Sequence, residues 1–164
     1  MRESTLMSLT AADAQATRTI GAALARELLT VEVPLVVALE GELGAGKTTL
    51  VGGLLNALGH QGHARSPTYT LIEPYDLAGR AVYHLDLYRL TDPQEVEALG
   101  LRDLLGRGAI FLIEWPARGE GLLPAFDLTV RIRYGALSGR EVDLIGGSIA
   151  GTAVVTRLTA TAKP

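Results

Sequence analysis

The sequence predicts an α/β fold in which central parallel strands are extended by antiparallel strands and helices lie on both faces of the sheet. Residues 35–39 (LVVAL) and 109–113 (AIFLI) are continuous apolar runs, which are typical of strands buried on both faces. Leu128 to Tyr134 instead alternates apolar with polar residues, and the alternation resumes after a turn at residues 135–139. The sheet is therefore expected to be parallel at its centre and to finish antiparallel.

A helix is expected before the first buried strand. Thr10 followed by Asp13 resembles a capping box, in which the side chain of each residue accepts a hydrogen bond from the backbone amide of the other at the start of a helix. The apolar residues behind this pair recur at helical spacing and line one face: Ala16, Ile20, Leu24 and Leu28. This helix leads directly into the strand over residues 35–39.

The middle and the end of the chain give weaker signals. Residues 70–75 and 81–87 are typical of two strands, and the short turn between them predicts a β-hairpin. Residues 92–95 (DPQE) form a helix-start signal, followed by an apolar helix face that Gly100 interrupts. We expect residues 1–164 to form a single domain. Within it, residues 146–164 are expected to be a peripheral tail with at most a last strand at 152–158.

A phosphate-binding loop follows the first buried strand. Residues 41–48 (GELGAGKT) match the Walker A pattern G-x-x-x-x-G-K-(S/T), and apolar residues at helical spacing follow until Gly59. Glycines let the backbone wrap closely around a polyanion, and the free amides at the start of the helix point at the same spot. This loop (the P-loop) between a strand and a helix predicts a P-loop NTPase-like fold that binds a nucleotide.

Individual residues of the P-loop have expected roles. Lys47 is one of two lysines beside thirteen arginines, and it is expected to reach the β and γ phosphates, where a compact ammonium fits better than a planar guanidinium. The Thr48 hydroxyl is expected to ligate Mg²⁺. The loop residues expected to contact the nucleotide are Gly41, Glu42, Leu43, Gly44, Ala45, Gly46, Lys47, Thr48 and Thr49.

Two acidic residues stand at the ends of predicted strands, where ligands bind in open α/β sheets. Glu114 closes the strand over residues 109–113, where P-loop enzymes place the acid for Mg²⁺ or for the attacking water. Asp86, near the end of the hairpin's second strand, is expected to hold the metal through water. The candidate catalytic residues are therefore Lys47, Asp86 and Glu114. The candidate metal-site residues are Thr48, Asp86 and Glu114. The alternative for each acid is a carboxylate that caps a strand or pairs with an arginine.

Other features leave alternatives open. Residues 66–70 (SPTYT) fit a nucleotide-sensing switch in which a hydroxyl such as that of Thr68 reaches the metal or the γ phosphate, and they fit a plain turn equally well. Trp115, the single tryptophan, packs over the nucleotide or in the core. His84 is expected to pack in the sheet. The single asparagine, Asn56, lies in the predicted helix after the P-loop, so the chain lacks the Asn-Lys-x-Asp segment with which many GTPases bind guanine. Adenine is therefore the expected base.

Composition narrows the classes of function. The formal charge of -3 and the pI of about 5.6 argue against a protein that holds nucleic acid by charge, so we expect no DNA binding and RNA contact only locally or through partners. The absence of cysteine excludes disulfides, thiolate zinc sites and thiol nucleophiles. No apolar run reaches the roughly 18 residues that span a membrane, and the N-terminus shows no secretory signal. A cytoplasmic protein is expected.

Four motifs together resemble a known family. Residues 41–49 (GELGAGKTT), 66–70 (SPTYT), 83–89 (YHLDLYR) and 114–116 (EWP) stand in the order and spacing of the TsaE family, formerly YjeE. These are bacterial P-loop ATPases needed to make N6-threonylcarbamoyladenosine next to the anticodon of tRNAs that read ANN codons. The resemblance implies a weak ATPase that uses ATP and Mg²⁺. It also implies two partner proteins, the transferase TsaD and its scaffold TsaB, so that tRNA is met only through their complex.

The resemblance implies roles for single residues as well. Lys47 would bind the phosphates, and Thr48 and Glu114 would hold Mg²⁺. Asp86 would support the metal and the water, and Thr68 would belong to the switch loop. For these five residues the implied roles agree with those expected from the motifs themselves.

The resemblance also favours nucleotide contact for Trp115 and places the adenine near the N-terminal helix. Two other functions remain open from the residues: a small-molecule kinase, because the same loop serves phosphoryl transfer to an acceptor, and a nucleotide-gated binding module with negligible turnover. No arginine stands out as a built-in finger, so slow hydrolysis is expected in any case.

Overall fold

The structure is a computed structural model that describes residues 5–32, 34–67 and 70–162. Within these ranges seven strands form one sheet in the order β1-β7-β6-β2-β5-β4-β3. The strands are β1 (Leu6–Ala11), β2 (Leu35–Glu40), β3 (Ile72–Leu77), β4 (Arg80–Asp86), β5 (Ala109–Glu114), β6 (Leu128–Tyr134) and β7 (Arg140–Gly146). The helices are α1 (Ala14–Leu28), α2 (Lys47–Ala57), α3 (Glu95–Ala98), α4 (Leu101–Gly106) and α5 (Ile149–Ala162), with a 3₁₀ turn at Pro116–Gly119.

The centre of the sheet is parallel and its margins are antiparallel, as the sequence predicts. Strand β2 pairs in parallel with both β5 and β6, and β5 pairs in parallel with β4. The pairs β1–β7, β6–β7 and β3–β4 are antiparallel. The central strands β2 and β5 are apolar on both sides because helices cover both faces of the sheet.

Two hydrophobic clusters fill the space between the sheet and its helices. One face is covered by α1, α2 and α5, whose buried residues pack with Val37 and Leu39 of β2 and with inward residues of β6 and β7. The opposite face is covered by α3, α4 and the segment over residues 115–126, which pack on Phe111 and Ile113 of β5. The α/β class with helices on both faces is therefore confirmed.

Two sequence-based expectations about the ends of the chain are wrong. Thr10 does not cap α1, because it lies in β1; the N-cap is Asp13, whose carboxylate accepts the Ala16 amide at 2.8 Å. Residues 152–158 are not a strand and are not peripheral: they lie in α5, where Val154 and Val155 are fully buried. Within the described residues, none of the helices is long and apolar enough to span a membrane.

The C-terminal ends of β2, β5 and β4 lie side by side and define one edge of the sheet. In the register of the parallel strands, Leu39 is opposite Glu114, and Glu114 is opposite Asp86. The P-loop leaves β2 at this edge and enters α2. The predicted loop and the two predicted acids are thus brought together by strand register alone.

Candidate functional site

The P-loop turns sharply between β2 and α2. Gly46 is the N-cap of α2 and has φ 114, a left-handed conformation that strains any residue with a Cβ. The loop bends there so that α2 begins at Lys47 with its first amides free of partners within the helix. This arrangement forms an anion site from backbone amides and from the positive end of the helix dipole.

The Lys47 side chain folds back onto the loop that carries it. Its ammonium donates to the carbonyl oxygens of Gly41 at 2.5 Å and Glu42 at 2.9 Å, and the residue is only 5% exposed. Burial lowers the pKa of Lys47 below its ordinary value, while the charges of Glu114 and Asp86 act in the opposite direction. The ammonium therefore occupies the inside of the loop, beside both acids.

Glu114 joins the P-loop to the sheet. The Thr48 hydroxyl donates to Glu114 Oε1 at 3.0 Å, and the Nε2 atom of His84 lies 2.9 Å from the same oxygen. Glu114 is 2% exposed, so both contacts are shielded from bulk water. The sequence-based alternative, a carboxylate that only caps a strand or pairs with an arginine, does not describe Glu114, which contacts the P-loop hydroxyl directly.

Asp86 is tied to the loops that follow its strand and the P-loop helix. The Tyr88 amide donates to Asp86 Oδ1 at 3.0 Å, and the Ser66 hydroxyl donates to Oδ2. Ser66 is the first residue of the SPTYT segment, which therefore reaches this site through its serine. Thr68, the residue proposed for the switch, lies outside the described residues.

A cavity of about 390 Å³ opens above these groups. Most of the predicted site residues line it: Leu43, Gly44, Gly46, Lys47, Thr48, Thr49, Asp86, Glu114 and Trp115. Three predicted residues of the described ranges do not line it. The carbonyls of Gly41 and Glu42 accept from the Lys47 ammonium, and Ala45 is fully buried.

Trp115 lies at the rim of this cavity in a strained conformation. Its φ of 57 is left-handed, which is rare for a bulky residue. The indole packs against Tyr88 with 5.0 Å between ring centroids, and the Lys47 ammonium lies 4.2 Å from its centroid. The ring thus contacts the core on one face of the sheet and also lines the cavity. The predicted core position of Trp115 is therefore compatible with the alternative, a position over a bound nucleotide.

Sequence reasoning missed the residues that hold the P-loop from outside. Tyr134 donates its hydroxyl to the Leu43 carbonyl at 2.8 Å, and Arg140 donates to the Ala45 carbonyl at 2.8 Å. These two residues are opposite one another in the β6–β7 register, and the Arg140 guanidinium lies 4.5 Å from the Tyr134 ring. Because side chains alternate along β6, Tyr134 lies on the same face as Ile132 and Val130. This alternation was the sequence pattern from which an inward position of Tyr134 could have been predicted.

Two other features near the loop were also missed. Arg89 lines the 390 Å³ cavity, although no arginine stood out in the sequence as a built-in finger. A second cavity of about 240 Å³ lies on the other side of the loop, between the start of α1 and the β6–β7 turn. It is lined by Asp13, Ala14, Thr17, Gly44, Ala45, Gly46, Thr49, Ser138 and Arg140.

The donor set at the larger cavity suits a hard cation. Thr48, Glu114 and Asp86 offer one hydroxyl and two carboxylates, which are oxygen ligands of the kind that Mg²⁺ prefers. Within the described residues, no group of three or more His, Cys, Asp and Glu side chains forms a self-sufficient metal site. A metal here would therefore depend on further oxygen atoms from phosphates and water, as in nucleotide enzymes.

Comparisons with known proteins give a consistent result. The family model "Threonylcarbamoyl adenosine biosynthesis protein TsaE" matches residues 11–142. The chain is 48% identical over 124 residues to the tRNA threonylcarbamoyladenosine biosynthesis protein TsaE of Haemophilus influenzae, covering 76% of this chain and 78% of that protein. It is 39% identical over 138 residues to the Nostoc protein of the same name, covering 81% and 82%.

The fold has a close counterpart among solved structures. A crystal structure of YdiB from Bacillus subtilis superposes with a TM-score of 0.82 at 24% identity, covering 99% of this chain and 100% of that one. The likeness extends to the two elements that sequence analysis missed at the ends of the chain, β1 and α5. On the family match and the identity to the Haemophilus protein, this chain belongs to the TsaE family of threonylcarbamoyl adenosine biosynthesis proteins.

Proposed function

We propose that this chain is an ATPase that binds and slowly hydrolyses Mg-ATP to support TsaB and TsaD in forming N6-threonylcarbamoyladenosine in tRNA. The observation that carries the proposal is the hydrogen bond from Thr48 to Glu114. It joins the P-loop hydroxyl to the acid at the end of a neighbouring parallel strand, the two groups with which P-loop enzymes hold Mg²⁺. Family membership supplies the pathway in which this activity would be used.

Phosphate binding follows from the loop and the helix behind it. The Ala45 amide donates to the Glu42 carbonyl, and the other amides of residues 44–49 would supply donors for phosphate oxygens. The positive end of α2 favours the charge of the phosphates. Lys47 donates to two carbonyls of its own loop, and phosphate oxygens would replace these neutral acceptors with negatively charged ones, which bind the ammonium more strongly. Binding would therefore draw the ammonium from the loop carbonyls to the phosphates.

The metal would be held by Thr48 and Glu114, with Asp86 supporting it through water. A bound Mg²⁺ supplies charge neutralisation at the β and γ phosphate oxygens. The carboxylate of Glu114 is positioned by its contacts with Thr48 and His84, and Asp86 by its contacts with Ser66 and Tyr88. These side chains are fixed before any ligand arrives, which reduces the reorganisation that binding requires.

The cavity of about 240 Å³ is the favoured place for the adenine. It begins at the N-terminus of α1, where Asp13, Ala14 and Thr17 line it. It shares Gly44, Gly46 and Thr49 with the cavity of about 390 Å³. A nucleotide that spans the P-loop would thus have its phosphates on one side of the loop and its base on the other.

Slow hydrolysis is expected because the chain supplies positioning but little charge for the transition state. P-loop enzymes accelerate hydrolysis with an arginine that a partner often provides or arranges. Arg89 lines the cavity and is exposed, so a partner that brings its guanidinium onto the γ phosphate would raise the rate. This is a physical reason for an ATPase that is weak alone and stimulated by TsaB and TsaD.

The test is reconstitution of tRNA modification together with a measurement of phosphate release. We expect ATP hydrolysis to rise strongly when TsaB and TsaD are added, and Lys47→Ala to abolish tight ATP binding, stimulated hydrolysis and sustained modification. Arg102→Ala is the matched control, since it removes a cation whose side chain is 83% exposed and remote from the P-loop. It should behave as the wild type.

Three outcomes would contradict the proposal. Full modification by Lys47→Ala would show that nucleotide binding is not needed. Transfer of the γ phosphate to an added small molecule much faster than to water would identify a kinase. Nucleotide-dependent binding to TsaB and TsaD without phosphate release would identify a gated binding module.

A further inference from the structure

His84 is buried in the sheet directly beneath the acid of the site. It lies in β4 and is 0% exposed. In the β4–β5 register it is opposite Leu112, two residues before Glu114, and it precedes Asp86 by two residues. Because side chains two apart on a strand share a face, His84, Asp86 and Glu114 all lie on the face that carries α2.

The two ring nitrogens of His84 have different surroundings. Nε2 lies 2.9 Å from Glu114 Oε1, whereas Nδ1 is buried and has no hydrogen-bond partner among the described residues. A proton on Nδ1 would be a buried donor without an acceptor, an arrangement that folded proteins avoid. The proton therefore belongs on Nε2, where it is donated to the carboxylate of Glu114.

This bond assigns separate tasks to the two oxygens of Glu114. Oε1 accepts from both His84 and Thr48, while no described residue donates to Oε2. With Oε1 held by two donors on different elements, the carboxylate cannot rotate without losing both bonds. Oε2 is then the oxygen left for groups that enter with the nucleotide.

A purely structural role explains these contacts poorly. Neighbouring inward positions on β4 and β5 hold Val82, Ile110 and Leu112, so an apolar side chain would suit the position of His84. An imidazole there leaves one nitrogen unsatisfied, a cost that native cores usually avoid. Within the described part of the chain its one polar partner is Glu114, and a buried polar group with an unsatisfied atom is found mainly at functional sites.

We propose that His84 is a positioning residue for hydrolysis: its Nε2–H donates to Glu114 Oε1 and fixes the carboxylate so that Oε2 is presented to the metal or to the attacking water. The proposal rests on the proposed function, because it assigns a purpose to the orientation of Glu114. It adds a residue that acts through Glu114 and does not itself touch the nucleotide.

The test compares two substitutions with a core control. His84→Leu removes the donor and keeps an apolar filling, whereas His84→Gln keeps an N–H that can reach Glu114. Val82→Ala, two residues earlier on the same face of β4, removes core contacts without touching Glu114. Each variant is measured for thermal stability, ATP affinity and the hydrolysis rate at saturating Mg-ATP with TsaB and TsaD.

We expect His84→Leu to lower the hydrolysis rate at saturation by about 10- to 100-fold, the usual effect of losing a residue that orients a site ligand, with ATP affinity little changed. His84→Gln should recover most of the rate. Val82→Ala should lose stability and keep the rate. Wild-type hydrolysis by His84→Leu, or a loss by His84→Leu and Val82→Ala in proportion to their lost stability, would overturn the proposal.

Nitrogen NMR of His84 in the wild-type protein tests the contact without any turnover. The proton should be on Nε2, and the Nε2 signal should shift in Glu114→Gln. A proton on Nδ1 would overturn the proposal even if the protein hydrolyses ATP. Absent hydrolysis with the Nε2–H signal in place would instead overturn the proposed function while leaving the contact intact, so the two failures are distinguishable.

Discussion

The ammonium of Lys47 lies 4.2 Å from the centroid of the Trp115 ring, within the range of a cation–π contact. Trp115 is the single tryptophan, so its fluorescence reports on this position without interference. If phosphates draw Lys47 from the loop carbonyls, the contact changes and the emission of Trp115 should shift on addition of Mg-ATP. A titration of the wild type measures this, and Lys47→Ala is the control. Equal responses from the two proteins would refute the coupling.

ATP affinity should fall as pH rises on the alkaline side. Burial lowers the pKa of Lys47 below 10.5, so the ammonium is lost at a lower pH than in an exposed lysine. Phosphates bind the protonated form, and affinity therefore declines through the lowered pKa. The effect on folding has the opposite sign: between the folded and unfolded pKa values the unfolded chain binds more protons, so this group makes the free energy of unfolding rise with pH.

Affinity measured from neutral pH to about 10 checks this prediction, because an ordinary lysine, with a pKa of about 10.4, stays mostly protonated over that range. Lys47→Arg is the control, because a guanidinium stays charged throughout. Its absolute affinity is expected to be weaker, but its alkaline limb should be flat. An alkaline decline of the same shape in both proteins would assign the effect to another group.

Removal of the Thr48 hydroxyl should abolish the benefit of Mg²⁺. Thr48→Val keeps the shape of the side chain but neither ligates a metal nor donates to Glu114, whereas Thr48→Ser keeps both abilities. We expect Mg²⁺ to tighten ATP binding by the wild type and by Thr48→Ser and to have little effect on Thr48→Val. Binding isotherms with Mg²⁺ and with EDTA measure the difference. An unchanged metal dependence in Thr48→Val would exclude Thr48 as a ligand.

Loss of Arg140 should loosen the P-loop. Its guanidinium donates to the carbonyls of Ala45, Ser138 and Gly139, and hydrogen bonds to charged groups contribute about 1.5–3 kcal/mol. Arg140→Ala is therefore expected to lower the free energy of unfolding by about that amount and to weaken ATP binding about tenfold or more. Chemical denaturation and calorimetric titration measure the two effects.

Arg131→Ala is the matched control for Arg140→Ala. Arg131 lies on the adjacent strand β6 and pairs with Glu40 at 3.0 Å, but its side chain is 45% exposed. Exposed pairs contribute about 0–1 kcal/mol, so this variant should change stability and ATP affinity little. Equal losses in the two variants would mean that Arg140 acts only as a surface charge.

Two adjacent glycines of α2 should respond to alanine in opposite directions. A Cβ on Gly53 would lie 2.1 Å from the Arg18 carbonyl oxygen of α1, whereas a Cβ on Gly52 would make an ordinary contact of 3.7 Å with Ala64. Gly53→Ala must push the two helices apart and should cost about 1–3 kcal/mol. Gly52→Ala should stabilise the helix by about 0.5–1 kcal/mol. Denaturant unfolding of both variants measures this, and shifts of the same sign would contradict the packing.

The parts of the fold that follow from short-range patterns were predictable, and so was most of the site. Residues 35–39 and 109–113 read as buried strands because they are apolar on both faces, and the edge on which Asp86 and Glu114 meet follows from parallel pairing. The P-loop was predictable because the residues that determine its backbone conformation are adjacent in the sequence.

The elements that were missed depend on distant partners. Thr10 fits a capping box locally, but β1 forms because β7 offers it an antiparallel edge. Residues 152–158 are rich in β-branched side chains, yet they are helical because α5 buries Val154 and Val155 against the sheet. The contact of His84 with Glu114 likewise requires the register of two strands, which a lone histidine in a sequence does not reveal.

Strand β2, from which the P-loop emerges, lies between β6 and β5. On one side Tyr134 at the end of β6 supports the backbone of the loop, and on the other Glu114 at the end of β5 contacts its threonine. A displacement of the β6–β7 turn would therefore change the backbone conformation of the P-loop through Tyr134. A displacement of β5 would instead move Glu114, and with it the proposed position of the metal. If the chain binds and hydrolyses a nucleotide as proposed, the support from β6 would bear on the binding of the nucleotide, and the contact from β5 would bear on its hydrolysis.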